Sequence, residues 1–205
     1  MGTRKTERVG IFGGTFSPPH NGHVHAAKAF LEKMALDRLF VIPVGVPPHK
    51  TRTESTSCED RLALCRAAFS FSDQITVSDM EMQREGKSYT ADTLSLLAKE
   101  DRQLFLFCGT DMLLTLDRWR DPERIFRLAH IVYLARENDK AALSDMRQKA
   151  EEYRARFGAT VLELAATAVS MSSSEVRSRV AEGRPWEDTV PEGVAQIIRQ
   201  RGLYL

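Results

Sequence analysis

The sequence predicts an α/β fold of the Rossmann-like, doubly wound type, in which a mostly parallel sheet is flanked by helices. The first observation is an apolar run at residues 9–12 that is followed by Gly13 and Gly14. The second is that apolar residues recur at helical spacing from Asn21 onward, before another apolar run at residues 39–44. The third is that later apolar runs alternate with helical patterns, which is typical of βαβ units. In such folds ligands bind at the carboxyl ends of the strands.

The remaining elements follow in chain order. Helices are predicted over residues 58–71, from Thr90 onward, from Pro122, over 141–157, from Ser172 and over 191–201, with Gly202 ending the last one. Strands are predicted at residues 74–78, 103–108, 130–135 and 160–164, of which 103–108 is the most apolar and therefore central.

Length and composition predict a single domain over residues 1–205, with a core of about 8–182 and a C-terminal helix of about 191–201. The chain has 205 residues, 42% of them hydrophobic, and a formal net charge of only +1. Without a run of basic residues a nucleic-acid partner is not favoured, and no apolar stretch has the ~20 residues of a membrane span. Three cysteines without C-x-x-C spacing and the absence of a signal peptide favour reduced thiols in the cytoplasm.

The turn after the first strand carries the strongest functional signal. It lacks the Lys-Ser/Thr ending of a P-loop and the G-x-G-x-x-G of a dinucleotide fold. Instead His20 and His23 form H-x-G-H at the predicted start of a helix, where backbone amides lack intrahelical partners. A helix start carries roughly half a positive charge and readily holds phosphate, and two imidazoles add directional donors. Gly13 and Gly14 are expected to form the tight turn beside them.

Residues 13–23, GGTFSPPHNGH, resemble the G-G-T-F-D-P-x-H-x-G-H signature of the H-x-G-H nucleotidyltransferases, in particular the bacterial nicotinate-nucleotide adenylyltransferases. Four further segments match in the family's order: PPHK, SYTADTL, GTDMLLTLDRW and the stretch around SMSSSEVR. The chain departs from the family at Ser17, where an aspartate is usual. It also departs after Arg136, where Glu137 and Asn138 replace Pro-Gly, and the role of Arg136 is left open.

The resemblance implies transfer of the adenylyl group of ATP to nicotinate mononucleotide, giving nicotinate adenine dinucleotide and pyrophosphate in NAD biosynthesis. The attacking phosphate monoester is already largely dianionic, since its second pKa is ~6, so no protein base or covalent intermediate is needed. The resemblance implies four catalytic residues: His20, His23, Lys50 and Arg177. It implies further ATP contacts from Gly13, Gly14, Thr15, Phe16, Gly109, Asp111, Ser172 and Ser173. It implies mononucleotide contacts from Lys50, Thr90, Asp92 and Trp119.

Several of these residues also have ordinary structural explanations. Lys50 alone would be a solvated surface lysine, and Thr90 is a natural N-cap. Asp111 suits either a ribose hydroxyl or a helix N-cap. Trp119 suits either a pyridine-stacking surface or the core. Ser172, with Glu175, also predicts a capping box.

No clustered carboxylates of the metal-site type are evident, so Mg²⁺ is expected to arrive on the ATP phosphates. A phosphopantetheine adenylyltransferase is the nearest alternative, but it would not need Trp119 or residues 88–94. A catalytically silent nucleotide sensor would not need to keep the H-x-G-H histidines together with Lys50 and Arg177. A zinc site of His20, His23 and His25 lacks a fourth ligand. Acid or amide preference and oligomeric state stay open.

Overall fold

A computed structural model describes residues 5–46, 56–134, 140–166, 169 and 171–205. The six strands of this part of the chain are β1 (Glu7–Gly14), β2 (Arg38–Pro43), β3 (Ile75–Val77), β4 (Arg102–Cys108), β5 (Ala129–Tyr133) and β6 (Val161–Glu163). They form one sheet in the order β3-β2-β1-β4-β5-β6. This is the strand order of doubly wound dinucleotide-binding folds. The predicted fold class and the central position of residues 103–108 are therefore confirmed.

The described residues form eight α-helices, of which the last two follow β6. They are α1 (Asn21–Lys33), α2 (Cys58–Ala68), α3 (Thr90–Leu97), α4 (Thr110–Thr115), α5 (Pro122–Leu128), α6 (Lys140–Phe157), α7 (Ser173–Ala181) and α8 (Glu192–Arg201). Short 3-10 turns cover Leu116–Arg118 and Glu187–Thr189. The helix starts at Asn21 and Cys58 agree with the prediction. α2 ends at Ala68 rather than at residue 71. None of these helices is long and apolar enough to cross a membrane.

The described residues divide into two compact units. Unit 1 takes those of residues 1–12, 28–40 and 89–168, and unit 2 takes those of 13–27, 41–88 and 169–205. The expectation of a single domain over 1–205 stays a prediction.

The core of unit 1 contains apolar side chains from adjacent parallel strands of the sheet. Val9 lies opposite Leu104, Leu106 opposite Ile131, and Ile131 opposite Val161. These side chains are nearly inaccessible to solvent. Both faces of β4 are covered, which explains why its sequence is a continuous apolar run rather than an alternating one.

Unit 2 is built on the packing of α2 against α8. The buried faces of the two helices consist of small and aliphatic side chains together with one arginine: Arg61, Leu64, Cys65 and Ala68 on α2, and Val194, Ala195 and Ile198 on α8. Gly193 brings the helices close, because a Cβ there would lie 3.3 Å from Cβ of Ala67. Gly202, at φ 59°, ends α8 as predicted.

Candidate active site

The turn after β1 is made by a different residue from the two glycines that were predicted to make it. β1 continues through Gly13 and Gly14, and the left-handed backbone conformation falls on Phe16, at φ 51°. The Phe16 ring is buried, with ring centroids 5.1 Å from His23 and 5.7 Å from Phe69. This packing offsets the backbone strain of a non-glycine residue at positive φ. Gly14 is still required, since a Cβ there would lie 2.9 Å from the Phe16 ring.

His20 and His23 bond to each other's backbone at the start of α1. The His20 amide donates to Nδ1 of His23 over 3.1 Å. The His23 amide donates to the His20 carbonyl oxygen over 2.9 Å and, in a longer second bond of 3.3 Å, to Nδ1 of His20. The rings stack with centroids 3.7 Å apart and planes at 28°. This is the reciprocal geometry of a capping box, with imidazoles in place of hydroxyl and carboxylate. The two histidines therefore cap the start of α1 in addition to any role in binding a ligand.

These bonds also fix the state of the two rings. Because each Nδ1 accepts an N–H, a neutral ring carries its proton on Nε2, which becomes a donor. His20 is 6% exposed. Burial, and then the neighbouring His20, lower the pKa of His23 from 6.5 to about 3. At neutral pH His23 is therefore an uncharged hydrogen-bond donor.

Gly22, the middle residue of H-x-G-H, makes room for this pair. A Cβ at Gly22 would lie 3.0 Å from Nδ1 of His20 and 3.2 Å from the carbonyl oxygen of Val169. Sequence reasoning did not single out Gly22, although the motif contained the signal.

α7 contacts the chain that precedes His20. Arg177 donates from Nη1 to the Ser17 carbonyl over 2.7 Å and from Nη2 to Oγ of Ser174 over 3.1 Å. Ser173 Oγ donates to the Pro18 carbonyl over 2.9 Å. Ser172 is the N-cap of α7, as predicted, and accepts the amide of Glu175 over 3.1 Å. The carboxylate of Glu175 pairs instead with Arg179 at 2.7 Å, so the predicted capping box is present only in its Ser172 half.

Ser17, which stands where the family usually has aspartate, belongs to a small buried hydroxyl cluster. It is 3% exposed, and its Oγ lies 3.1 Å from Oγ1 of Thr56 and 3.3 Å from the hydroxyl of Tyr204. Neutral hydroxyls satisfy one another here, whereas a buried carboxylate would need a charged or amide partner. Sequence reasoning missed Thr56 and Tyr204.

Arg61 was also missed, because an arginine on an apolar helix face contradicts the usual pattern. Its guanidinium donates to the backbone carbonyl of Thr15, in the turn that follows β1. Lys50 and Arg136 lie outside the described residues.

Unit 1 contains the other predicted residues. Gly109 is the N-cap of α4, and Asp111 is exposed in the first turn of that helix, so the N-cap alternative for Asp111 was wrong. Trp119 is half-buried, and its Nε1 donates to Oγ1 of Thr115 over 3.2 Å. It belongs neither to the sealed core nor to the open surface.

Thr90 is the first residue of α3 and not its N-cap. The N-cap is Tyr89, whose side chain makes no capping bond. The carboxylate of Asp92 bonds to Arg124 at 2.8 Å. Arg120 lies over the face of Tyr89, 4.5 Å from the ring centroid.

Unit 2 therefore brings together nine of the predicted residues: Gly13, Gly14, Thr15, Phe16, His20, His23, Ser172, Ser173 and Arg177. Unit 1 holds the other five described ones: Gly109, Asp111, Thr90, Asp92 and Trp119. In the described part of the chain, no three His, Cys, Asp or Glu side chains converge on a point where a metal ion could bind.

Known proteins resemble this chain over most of its length. A family model described as cytidylyltransferase-like matches residues 11–179. A probable nicotinate-nucleotide adenylyltransferase from Desulfatibacillum aliphaticivorans is 36% identical, covering 97% of this chain and 100% of that protein. One from Gemmatimonas aurantiaca is 37% identical, covering 96% and 92%. The structure of Plasmodium falciparum nicotinic acid mononucleotide adenylyltransferase complexed with NaAD superposes with a TM-score of 0.71 at 17% identity, covering 97% of both chains.

The fold and the H-x-G-H turn thus define a nucleotidyltransferase, and the chain belongs to the cytidylyltransferase-like family. Its curated relatives place it more narrowly, in the nicotinate-nucleotide adenylyltransferase family.

Proposed function

We propose that the chain transfers the adenylyl group of ATP to nicotinate mononucleotide, giving nicotinate adenine dinucleotide and pyrophosphate. A phosphate oxygen of the mononucleotide attacks the α-phosphorus of ATP, and the bond from that phosphorus to the bridging oxygen of pyrophosphate breaks. The observation that carries the proposal is the reciprocal pairing of His20 and His23 at the start of α1. It holds two Nε2–H donors at a helix end that favours phosphate.

The histidines stabilise the charge that develops on the phosphates. Their Nδ1 atoms are engaged with the backbone, so the rings cannot rotate without losing those bonds. Donors fixed in advance need no reorganisation when the reaction occurs, and one such donor contributes roughly 2.7–4 kcal/mol. Because neither ring needs to give or take a proton, they act as donors and not as a general acid or base.

Arg177 supplies a cation of fixed orientation, held against the chain segment that precedes His20. Two of its five N–H donors are used on Ser17 and Ser174, which leaves the rest for phosphate oxygens. In the proposal, Ser172 and Ser173 add the first amides of α7, and Lys50 is a second cation. The end of β1 at Gly13 and Gly14, together with the turn at Thr15 and Phe16, surrounds the nucleotide.

Unit 1 supplies the acceptor contacts of the proposal. The indole of Trp119 stacks on the pyridine ring, and the amides that begin α3 near Thr90 receive the nicotinate carboxylate. Asp92 supports this end of α3 through its bond to Arg124. Asp111, after the Gly109 cap, binds a ribose hydroxyl.

Mg²⁺ enters the proposal as part of the nucleotide substrate, held by phosphate oxygens and water, where it offsets the negative charge of the triphosphate. The protein's own contribution is alignment, which can supply roughly 7–11 kcal/mol.

The test is a pyrophosphate-release assay with ATP and three acceptors: nicotinate mononucleotide, nicotinamide mononucleotide and phosphopantetheine. We expect release with the nicotinate compound, in step with the formation of nicotinate adenine dinucleotide measured by mass spectrometry. Release with phosphopantetheine alone, or with none of the three, would refute the proposal. Preference for nicotinamide mononucleotide would correct the acceptor and keep the reaction type.

A further inference from the structure

Arg61 is a charged residue on the buried face of α2. It is 4% exposed and shares that face with Leu64, Cys65 and Ala68, at the i+3, i+4 and i+7 positions. The neighbouring carboxylate of Asp60 does not form an ion pair with Arg61, because it bonds to Ser57 and to Arg201, each over 2.6 Å. No carboxylate of the described residues pairs with Arg61. A buried cation with no counter-ion is costly unless its hydrogen bonds compensate.

Arg61 donates to backbone carbonyls of two separate loops and, from Nη2, to Sγ of Cys58 over 3.2 Å, whereas its buried Nε has no hydrogen-bond partner among the described residues. Nη1 donates to the Thr15 oxygen over 3.1 Å and to the Val44 oxygen over 2.6 Å, and Nη2 donates to the Gly45 oxygen over 3.4 Å. Thr15 follows β1 and belongs to the turn that leads to His20. Val44 and Gly45 follow β2. The two loops also touch directly, through the Val44 amide and the Gly14 oxygen at 2.9 Å.

These bonds determine which way the loop amides face. In a trans peptide the N–H points opposite to the preceding C=O. The Gly45 amide shows the effect, because its preceding carbonyl faces Arg61 and the amide itself bonds to Ser88 Oγ at 3.2 Å. Because the Thr15 carbonyl faces Arg61, the amide of Phe16 is turned the other way, away from the guanidinium.

We propose that Arg61 is a positioning residue for the triphosphate of ATP. It does not contact the substrate. Its guanidinium holds the Thr15 peptide and the Val44–Gly45 segment in one fixed arrangement. Its positive charge, which no carboxylate of the described residues neutralises, adds to the positive potential around these two loops. The inference rests on the proposed adenylyl transfer.

Arg61→Lys and Arg61→Gln test the proposal, with Arg66→Lys and Arg66→Gln as controls on the exposed side of the same helix. Lysine keeps the charge, but its nitrogen stands one covalent bond short of Nη1, so the bonds to the Thr15 and Val44 oxygens lengthen and the Nη2 bond to Gly45 is lost. Displacements of about 1 Å lower rates by up to about 100-fold, so we expect Arg61→Lys to raise the KM for ATP and to lower kcat, each about 10-fold or more. The KM for nicotinate mononucleotide should stay within about twofold, and the Arg66 variants should match the wild type.

The measurements are steady-state pyrophosphate release, calorimetric binding of a non-hydrolysable ATP analogue, and the melting temperature of every variant. Wild-type protein without turnover would reject the proposed function, not the role of Arg61. With an active wild type, a folded Arg61 variant with unchanged ATP affinity and kcat would overturn the inference. Equal weakening of both substrates, or failure of both Arg61 variants to fold, would make Arg61 a stability residue and would also overturn it.

Discussion

The histidine pair shows how one side chain can serve both folding and catalysis. Nδ1 of each imidazole accepts from a backbone amide at the start of α1, which places the proton of a neutral ring on Nε2. The low pKa of His23 matters for this arrangement, because protonation of Nδ1 would break the bond from the His20 amide. The sequence predicted the two donors, but not their mutual capping.

His20→Asn separates the two roles of His20. The Oδ1 atom of asparagine can accept the His23 amide much as Nδ1 does, so we expect the melting temperature to change by only a few degrees. The Nε2–H donor is lost, so kcat should fall at least about 100-fold, the scale of one missing oxyanion donor. His25→Asn, on an exposed position of the same helix, is the matched control and should retain activity. Turnover close to that of the wild type in His20→Asn would contradict the assignment of His20.

At the scale of elements, the start of α1 depends on a residue that has no side chain. Helix-forming tendency favours alanine over glycine by roughly 1 kcal/mol, so a helical glycine needs a packing reason. Gly22 has one, since a Cβ would press on the His20 ring from 3.0 Å. Gly22 thus contributes to the site because its missing side chain leaves room for the His20 ring.

Gly22→Ala should therefore lower kcat more than it lowers stability. The His20 ring must shift by a few tenths of an ångström, which we expect to reduce kcat about 10-fold. The gain in helix propensity opposes the new contact, so the melting temperature should move by less than about 4 °C. Gly193→Ala, in α8, is the control for a helical glycine away from the histidines: its Cβ would lie 3.3 Å from Cβ of Ala67, so it should lower the melting temperature and spare kcat. A melting temperature lowered by 10 °C or more would show that Gly22 serves the helix instead of the ring.

Helix starts and strand positions could be predicted wherever the signal was local. Asn21, Cys58 and Gly202 lie where periodicity, capping and glycine chemistry place them. The local rules failed where long-range packing decides the conformation. Phe16 takes the left-handed conformation because its ring is buried, and Tyr89 starts α3 without the hydroxyl cap expected from Thr90.

The same distinction holds for the whole molecule. The continuous apolar run of β4 predicted a covered central strand, and the strand order confirms it. The partners of Arg61 and Ser17 could not be predicted, because they come from residues far apart in sequence: Thr15, Val44 and Gly45 for Arg61, and Thr56 and Tyr204 for Ser17. A sequence pattern shows which residues are polar, but not which distant carbonyl or hydroxyl will meet them.

The distribution of the predicted residues leads to a prediction about substrate selection. His20, His23 and Arg177 belong to unit 2, whereas Trp119 belongs to unit 1. If the two sets act on different substrates, a change in one unit should alter one Michaelis constant and spare the other. Trp119→Ala and Arg177→Met are the variants to compare.

Trp119→Ala removes a stacking contact of roughly 1–3 kcal/mol, so the KM for nicotinate mononucleotide should rise about 5- to 150-fold. The KM for ATP should stay within about twofold. Arg177→Met should show the reverse, because it removes a phosphate donor while preserving much of the side-chain volume. Trp119→Phe, which keeps a stacking ring but loses the bond to Thr115, should retain most of the acceptor affinity. A core tryptophan would behave differently, since its truncation costs roughly 3–5 kcal/mol of stability. A large fall in melting temperature with both Michaelis constants raised together would therefore assign Trp119 to the core and remove it from the acceptor site.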